Sequence, residues 1–278
     1  MGIPVALGLA YLGGWYLAAP LAGFAGWGTH EVYRFAERKD VRPIEPLGVL
    51  LSAAFVLLAA WQPTFSAYAP WALGALGIGG VIAVMVALRN RGPNGHPLAA
   101  VSVTLFGAVY VGLALAFVPL LHGLGDGGEV TPGGGWVIVV LPLVATWVGD
   151  ASAYFAGSAW GKGRARLAPT ISPNKSWVGF WAALAGSAVA AWLWSLVARS
   201  EVVGLDVADP PLLLLTGAVL GVAAVMGDLT ESLLKREAGV KDSGKFFPGH
   251  GGVLDRIDSL IFTFPTAYVA LTVAGVLQ

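Results

Sequence analysis

Apolar residues in this chain fall in long blocks separated by short polar gaps, with no strict alternation. The clear blocks are Pro46–Trp61, Tyr68–Leu88, Leu98–Leu121, Trp136–Ala153, Trp177–Ala198, Leu212–Gly227 and Ser259–Leu277. A hydrocarbon core about 30 Å thick takes roughly 20 residues of helix, which is the length scale of these blocks. A further apolar stretch, Gly2–Gly28, reads either as one long tilted span or as two short ones hinged at Gly13-Gly14. The pattern predicts an all-α, polytopic integral membrane protein with eight or nine transmembrane helices. No polar stretch is long enough for a soluble domain. Residues 1–278 therefore read as one integral membrane domain, with N-terminal helices in 1–135 and catalytic helices and loops in 136–278.

Composition agrees. Charged residues make up 12% and hydrophobic ones 56% of the 278 residues, against about 25% charged in an ordinary soluble domain. That balance excludes a soluble enzyme, a basic nucleic-acid binder and a disordered chain. The absence of cysteine excludes disulfides and thiolate metal sites. The N-terminus lacks the basic start and small-residue cleavage site of a secretory signal, so it reads as a first membrane segment.

The net charge of zero matters less than where the charges sit. Arg34, Arg38, Lys39 and Arg42 lie in one polar gap, Arg89 and Arg91 in another, and Lys162, Arg164, Arg166 and Lys175 in a third. Lys235, Arg236, Lys241, Lys245 and Arg256 lie in the last gap, and the intervening gaps hold only Arg199. The positive-inside rule makes the basic side cytoplasmic.

Charges of both signs crowd between Asp228 and Asp258, and ionisable residues at span ends are functional candidates by default. Asp228, Glu231, Ser232 and Lys235 share one face of a helix continuing out of its span, and Asp255, Asp258 and Ser259 repeat the pattern before the last span. Such carboxylates suit a hard divalent ion such as Mg²⁺, which commonly shares its ligands with substrate phosphates. Nearby Lys and Arg would neutralise phosphate oxygens, and Gly249-His250-Gly251-Gly252 lets backbone N–H groups approach an anion. Interleaved salt bridges on a solvated loop are the plainer alternative.

A second polar region follows the Trp136–Ala153 span. Asp150 sits near its end, with Tyr154 and Gly157 on the same face. Gly161-Lys162-Gly163 is not a phosphate-binding P-loop, because Ala156 and Gly163 stand where that motif needs Gly and Ser or Thr. Ser172-Pro173-Asn174-Lys175-Ser176 predicts a rigid turn before the next helix, whose free N–H groups can hold a phosphate. His30 and Glu31 read as interfacial, and His96 and His122 as lone loop histidines.

The run Ser232–Asp258, with Ser-x-x-Lys-Arg, Lys241-Asp242, His250-Gly251-Gly252 and Asp255-Arg256-x-Asp258, resembles the diagnostic motif of the phosphatidate cytidylyltransferase (CDP-diacylglycerol synthase) family. Asp150-x-x-Ala153-Tyr154 and Ser172-Pro173-x-Lys175-Ser176-Trp177 resemble its second conserved region. The chain departs from the pattern at Gly149, where the family has Asn, and at Val178, where it commonly has Glu. The resemblance implies transfer of CMP from CTP to phosphatidate, giving CDP-diacylglycerol and pyrophosphate. It implies Asp228 and Asp255 as Mg²⁺ ligands, with Lys235, Arg236, Lys241, Arg256 and Asp258 completing the catalytic set. Substrate contacts fall to Asp150, Ser172, Lys175, Ser176, Asp242, Lys245, His250, Gly251 and Gly252. CTP, phosphatidate and membrane lipids are the expected partners and nucleic acid is not; a homodimer and a second, monovalent cation are left open. The expected location is the bacterial cytoplasmic (inner) membrane, with the active site facing the cytoplasm. An ion-coupled transporter and an enzyme acting on an ether lipid or a polyprenol are the rival readings.

Overall fold

The computed structural model describes residues 2–125, 134–161, 163–200, 203, 205–247, 249 and 251–276. His250 lies outside the described residues, as does Lys162. The helices are α1 (Gly2–Leu12), α2 (Gly14–Glu37), α3 (Glu45–Trp61), α4 (Phe65–Asn90), α5 (Pro97–Gly107), α6 (Phe117–Gly125), α7 (Gly135–Trp160), α8 (Trp177–Ala198), α9 (Pro210–Glu237) and α10 (Leu254–Thr272). Each apolar block becomes a helix. Several run beyond their block at the polar end: α7 continues past Ala153 to Trp160, α9 past Gly227 to Glu237, and α10 opens on the polar turn that holds Asp255 and Asp258.

Among the described residues, five helical segments are long and apolar enough to cross a membrane: Phe65–Asn90, Pro97–Gly125, Gly135–Trp160, Trp177–Ala198 and Pro210–Glu237. Exposed Leu73, Ile78, Val81, Val84, Met85 and Leu88 cover the outside of α4, a surface that only lipid would solvate well. The chain is an integral membrane protein.

The first apolar stretch is two helices. Gly13 and Gly14 both take left-handed φ values, +61° and +49°, which their lack of a side chain permits. The break packs against His122, whose Nε2 lies 3.0 Å from the Ala10 carbonyl. His122 is thus a buried residue of α6 and not a loop histidine, because the helix carries on past the apolar block.

Helix α5 runs into α6 through a wide π turn at Ala108–Leu113. Around it lies a buried hydroxyl network: Tyr33 Oη donates to the Thr104 carbonyl at 2.6 Å, and Thr29 Oγ1 to Ser52 Oγ at 2.8 Å. In an apolar medium each of these groups needs such a partner. Small residues draw α7, α8, α9 and α10 together. A Cβ on Gly149 would overlap Ser187 of α8, one on Gly217 would overlap the α8 backbone at Ser187, and one on Gly227 would sit 2.9 Å from the Ser259 Cα of α10. Gly149 is therefore one of the residues that let α7 and α8 meet, with Gly186 of α8 against Ser152 another, and Gly227 brings α9 against α10 just before Asp228. Close backbone approach through small residues is how membrane helices associate.

Two expectations need correction. The protein is nearly, but not entirely, α-helical: β1 (Arg166–Ala168) and β2 (Ser172–Ser176) form an antiparallel hairpin between α7 and α8. Ser172–Ser176 is accordingly a strand, and the turn lies just before it, at residues 169–171. Alternating Ser172, Asn174 and Ser176 with Pro173 and Lys175 gives no long apolar pattern, so the short strand left little trace in the sequence.

If the α8–α9 contact depends on the missing side chain at Gly217, Gly217→Val should destabilise the protein by about 2 kcal/mol or more. Thermal unfolding in detergent would show this against Gly77→Val, where the added Cβ meets open space.

Candidate active site

The polar end of α9 carries its side chains on one face. Ser232 Oγ donates to Asp228 Oδ1 at 3.3 Å, and Lys235 pairs with Glu231 one turn earlier. Glu231 is fully buried, so a charge there needs a cation at hand. Lys235 is that cation, and its Nζ also donates to Asp255 Oδ1 at 2.7 Å. One ammonium thus ties α9 to the start of α10.

The loop from α9 to α10 folds around Asp255. Its Oδ2 accepts from Ser243 N at 2.9 Å, Ser243 Oγ at 2.8 Å and Gly252 N at 2.8 Å. Gly251, at φ +84°, has no room for a Cβ because Asp255 fills that space. Burial alone would raise the Asp255 carboxyl. The Lys235 ammonium and the Gly252 and Ser243 donors outweigh that effect and hold it well below the usual carboxylate range. The lowered value stabilises the fold above the unfolded carboxylate pKa of about 3.9, and the contribution is lost only as pH falls through the folded value.

Lys175 of β2 forms a 2.5 Å ion pair with Asp228, joining the hairpin to α9. Asp150 of α7 lies within electrostatic reach of Asp228 and Lys175, and Asp258 of α10 within reach of Asp228 and Asp150. Arg236 reaches the hairpin as well, its Nε donating to the Ile171 carbonyl at 3.3 Å. Ser176 caps α8 by accepting from Gly179 N at 3.1 Å. Charged groups from four separate elements therefore converge at one end of the α7–α10 bundle. Among the described residues, no three Asp, Glu or His side chains are grouped closely enough to hold a metal ion together.

The sequence matches the cytidylyltransferase family over residues 1–274. The chain belongs to the cytidylyltransferase family. The chain is similar to the phosphatidate cytidylyltransferase of Synechocystis sp., 32% identical over 96% of this chain and 92% of that protein. Those of Mycobacterium bovis (32%, 88% of this chain and 76% of that one) and Thermotoga maritima (34%, 72% and 69%) are also similar. A full-length cytidylyltransferase match makes this chain an enzyme and removes the transporter reading.

Of the residues expected in the site, the structure brings together Asp150, Lys175, Asp228 and Asp258 on one side, and Lys235, Asp255, Gly251 and Gly252 on the other. Ser176 lies at the start of α8 as its cap, and Ser172 begins β2. Lys241, Asp242 and Lys245 stand exposed on the loop, and Arg256 is exposed on the first turn of α10. The anion that meets the Gly252 N–H is the protein's own Asp255 carboxylate.

From sequence, Glu31 reads as interfacial, Glu231 stands on the polar face without a site role, and Ser243 carries no signal of its own. Glu231 lay on the polar face with Asp228 and Lys235, which was a usable signal. Glu31 follows the first apolar stretch and reads as interfacial, because its partners lie more than two hundred residues away.

Removing Lys235 leaves buried Glu231 without that cation. Lys235→Ala is expected to cost about 3 kcal/mol or more, with the Glu231→Gln, Lys235→Met pair recovering much of it. Unfolding of the purified variants in detergent would check both.

Proposed function

We propose that this cytidylyltransferase transfers CMP from CTP to phosphatidate, releasing pyrophosphate. The observation that carries the reading is the pairing of Lys175 with Asp228 and of Lys235 with Asp255 at one end of the bundle, in a chain whose relatives are named for this reaction. A phosphate oxygen of phosphatidate forms a bond to the α-phosphorus of CTP while the bond from that phosphorus to the bridging oxygen breaks. The nucleophile is already an anion, so no strong base is needed. The difficulty is bringing two anions together, and the site must supply cations and fixed orientation. Lys175, Lys235, Arg236 and Arg256 are the proposed phosphate partners from the described residues, with Lys241 and Lys245 approaching from the loop.

Magnesium fits the donor set by its chemistry, since Asp228 and Asp255 offer hard carboxylate oxygens from two helix ends. Asp255 Oδ1 meets only Lys235 among the described residues, which leaves lone-pair capacity on that oxygen. When bound, the ion would neutralise charge on the phosphates. Asp150 and Asp258 are proposed to orient the cationic side chains around it. Asp228→Asn and Asp255→Asn should each lower CDP-diacylglycerol formation at least a hundredfold while the protein still inserts and purifies, and chelating the metal should abolish the wild-type reaction. Near-normal turnover in either variant would count against the metal assignment.

Helix length supports one topology over the other. Helix α1 has 11 residues and spans about 16 Å, too short to cross a bilayer alone. Its end packs by the starts of α2 and α7: the Tyr11 and Trp136 rings lie 6.1 Å apart. We therefore favour eight crossings, α2, α3, α4, α5–α6, α7, α8, α9 and α10, in the bacterial inner membrane with the site facing the cytoplasm. The chain has no cysteine, so single cysteines report cleanly. In intact cells, an impermeant maleimide should label Thr64→Cys and spare Glu237→Cys until the membrane is opened; the reverse pattern would invert the topology.

A further inference from the structure

Glu31 is 2% exposed, sits on α2, and reaches the far end of the sequence. Its Oε1 accepts from Val253 N at 3.0 Å and its Oε2 from Leu254 N at 2.7 Å, the free amides at the start of α10. Its Oε2 also lies 2.9 Å from Ser243 Oγ. That hydroxyl is 2.8 Å from Asp255 Oδ2 and accepts from Asp255 N at 3.3 Å. A hydroxyl has one proton to donate, so Glu31 and Asp255 share it.

Two further observations show that the contact is built into the fold. The space where a Cβ would sit on Gly244 or Gly252 is taken by Glu31, so the loop closes around this carboxylate. Beside it the α2 aromatics Phe24 and Trp27 pack against Phe246 of the same loop, with ring centroids 6.4 and 5.0 Å apart.

We infer that Glu31 is a positioning residue for the transfer reaction, holding Asp255 in place through the Ser243 hydroxyl and the first turn of α10. The inference rests on the activity proposed above. Its consequence is that α2, in the half of the chain without the motifs, sets the geometry of the motif loop. Ser243 is the link, because its hydroxyl can turn toward Glu31 whenever Asp255 Oδ2 is drawn toward another group.

The test compares wild type, Glu31→Gln, Ser243→Ala and the double variant, each purified in detergent. Losing a buried hydrogen bond to a charged group predicts roughly a tenfold or greater fall in kcat, with KM for CTP and phosphatidate changed by less than about threefold. If the two side chains act through one another, the double variant should be about as slow as the slower single one. Trypsin should cut Glu31→Gln several-fold faster at Lys241 and Lys245, with or without substrates.

Wild-type kcat in both single variants, losses that multiply in the double, or a kcat that recovers fully once melting temperature is matched would each overturn the inference. Should Glu31→Gln fail to fold, Ser243→Ala decides alone: unchanged kcat and unchanged tryptic cutting would overturn it. A wild type that makes no CDP-diacylglycerol would instead sink the activity, while the tryptic comparison would still report on Glu31.

Discussion

A buried carboxylate in an apolar bundle cannot stand alone, and Glu231 brings with it the arrangement of the whole polar end. Lys235 neutralises it one turn along α9, and the same ammonium reaches Asp255 on α10. The loop between the two helices is then drawn inward, because Asp255 also needs donors and finds them in Ser243 and Gly252. Helix α2 adds the outer support through Glu31. Each of these carboxylates has a cation or hydrogen-bond donors beside it, which is what the low dielectric of a membrane protein demands.

The same compensation suits the chemistry. Transfer between two phosphates needs cations already held in place when the substrates arrive. Here Lys175 and Lys235 are held by Asp228 and Asp255 on elements that come from different parts of the chain. The small residues Gly149, Gly217 and Gly227 set how near those elements approach, and two of them directly precede Asp150 and Asp228, so close backbone packing helps fix the distances between the charged groups.

Much of this was readable from residues alone. The Trp177–Ala198 block became α8 with those same ends, because a capping Ser176 precedes it and polar Arg199 follows. The shared face of Asp228, Glu231, Ser232 and Lys235 followed from helical spacing. What could not be read depended on long-range contact. A hairpin of three and five residues leaves almost no periodic pattern. The partnership of Glu31 with Ser243 and α10 joins residues whose proximity only the folded bundle creates, and Gly149 showed its reason only once Ser187 was opposite it. The break at Gly13-Gly14 was visible as an alternative, and His122 decided it by packing into the gap.

The most direct test of the account follows the phosphorus atoms. CTP labelled at the α-phosphorus and CTP labelled at the γ-phosphorus would each be incubated with the purified protein, phosphatidate and magnesium. The account predicts that α label enters the lipid extract and γ label leaves as pyrophosphate, in equal amounts. Label from the γ position in the lipid, or lipid that stays unlabelled in both cases, would contradict it.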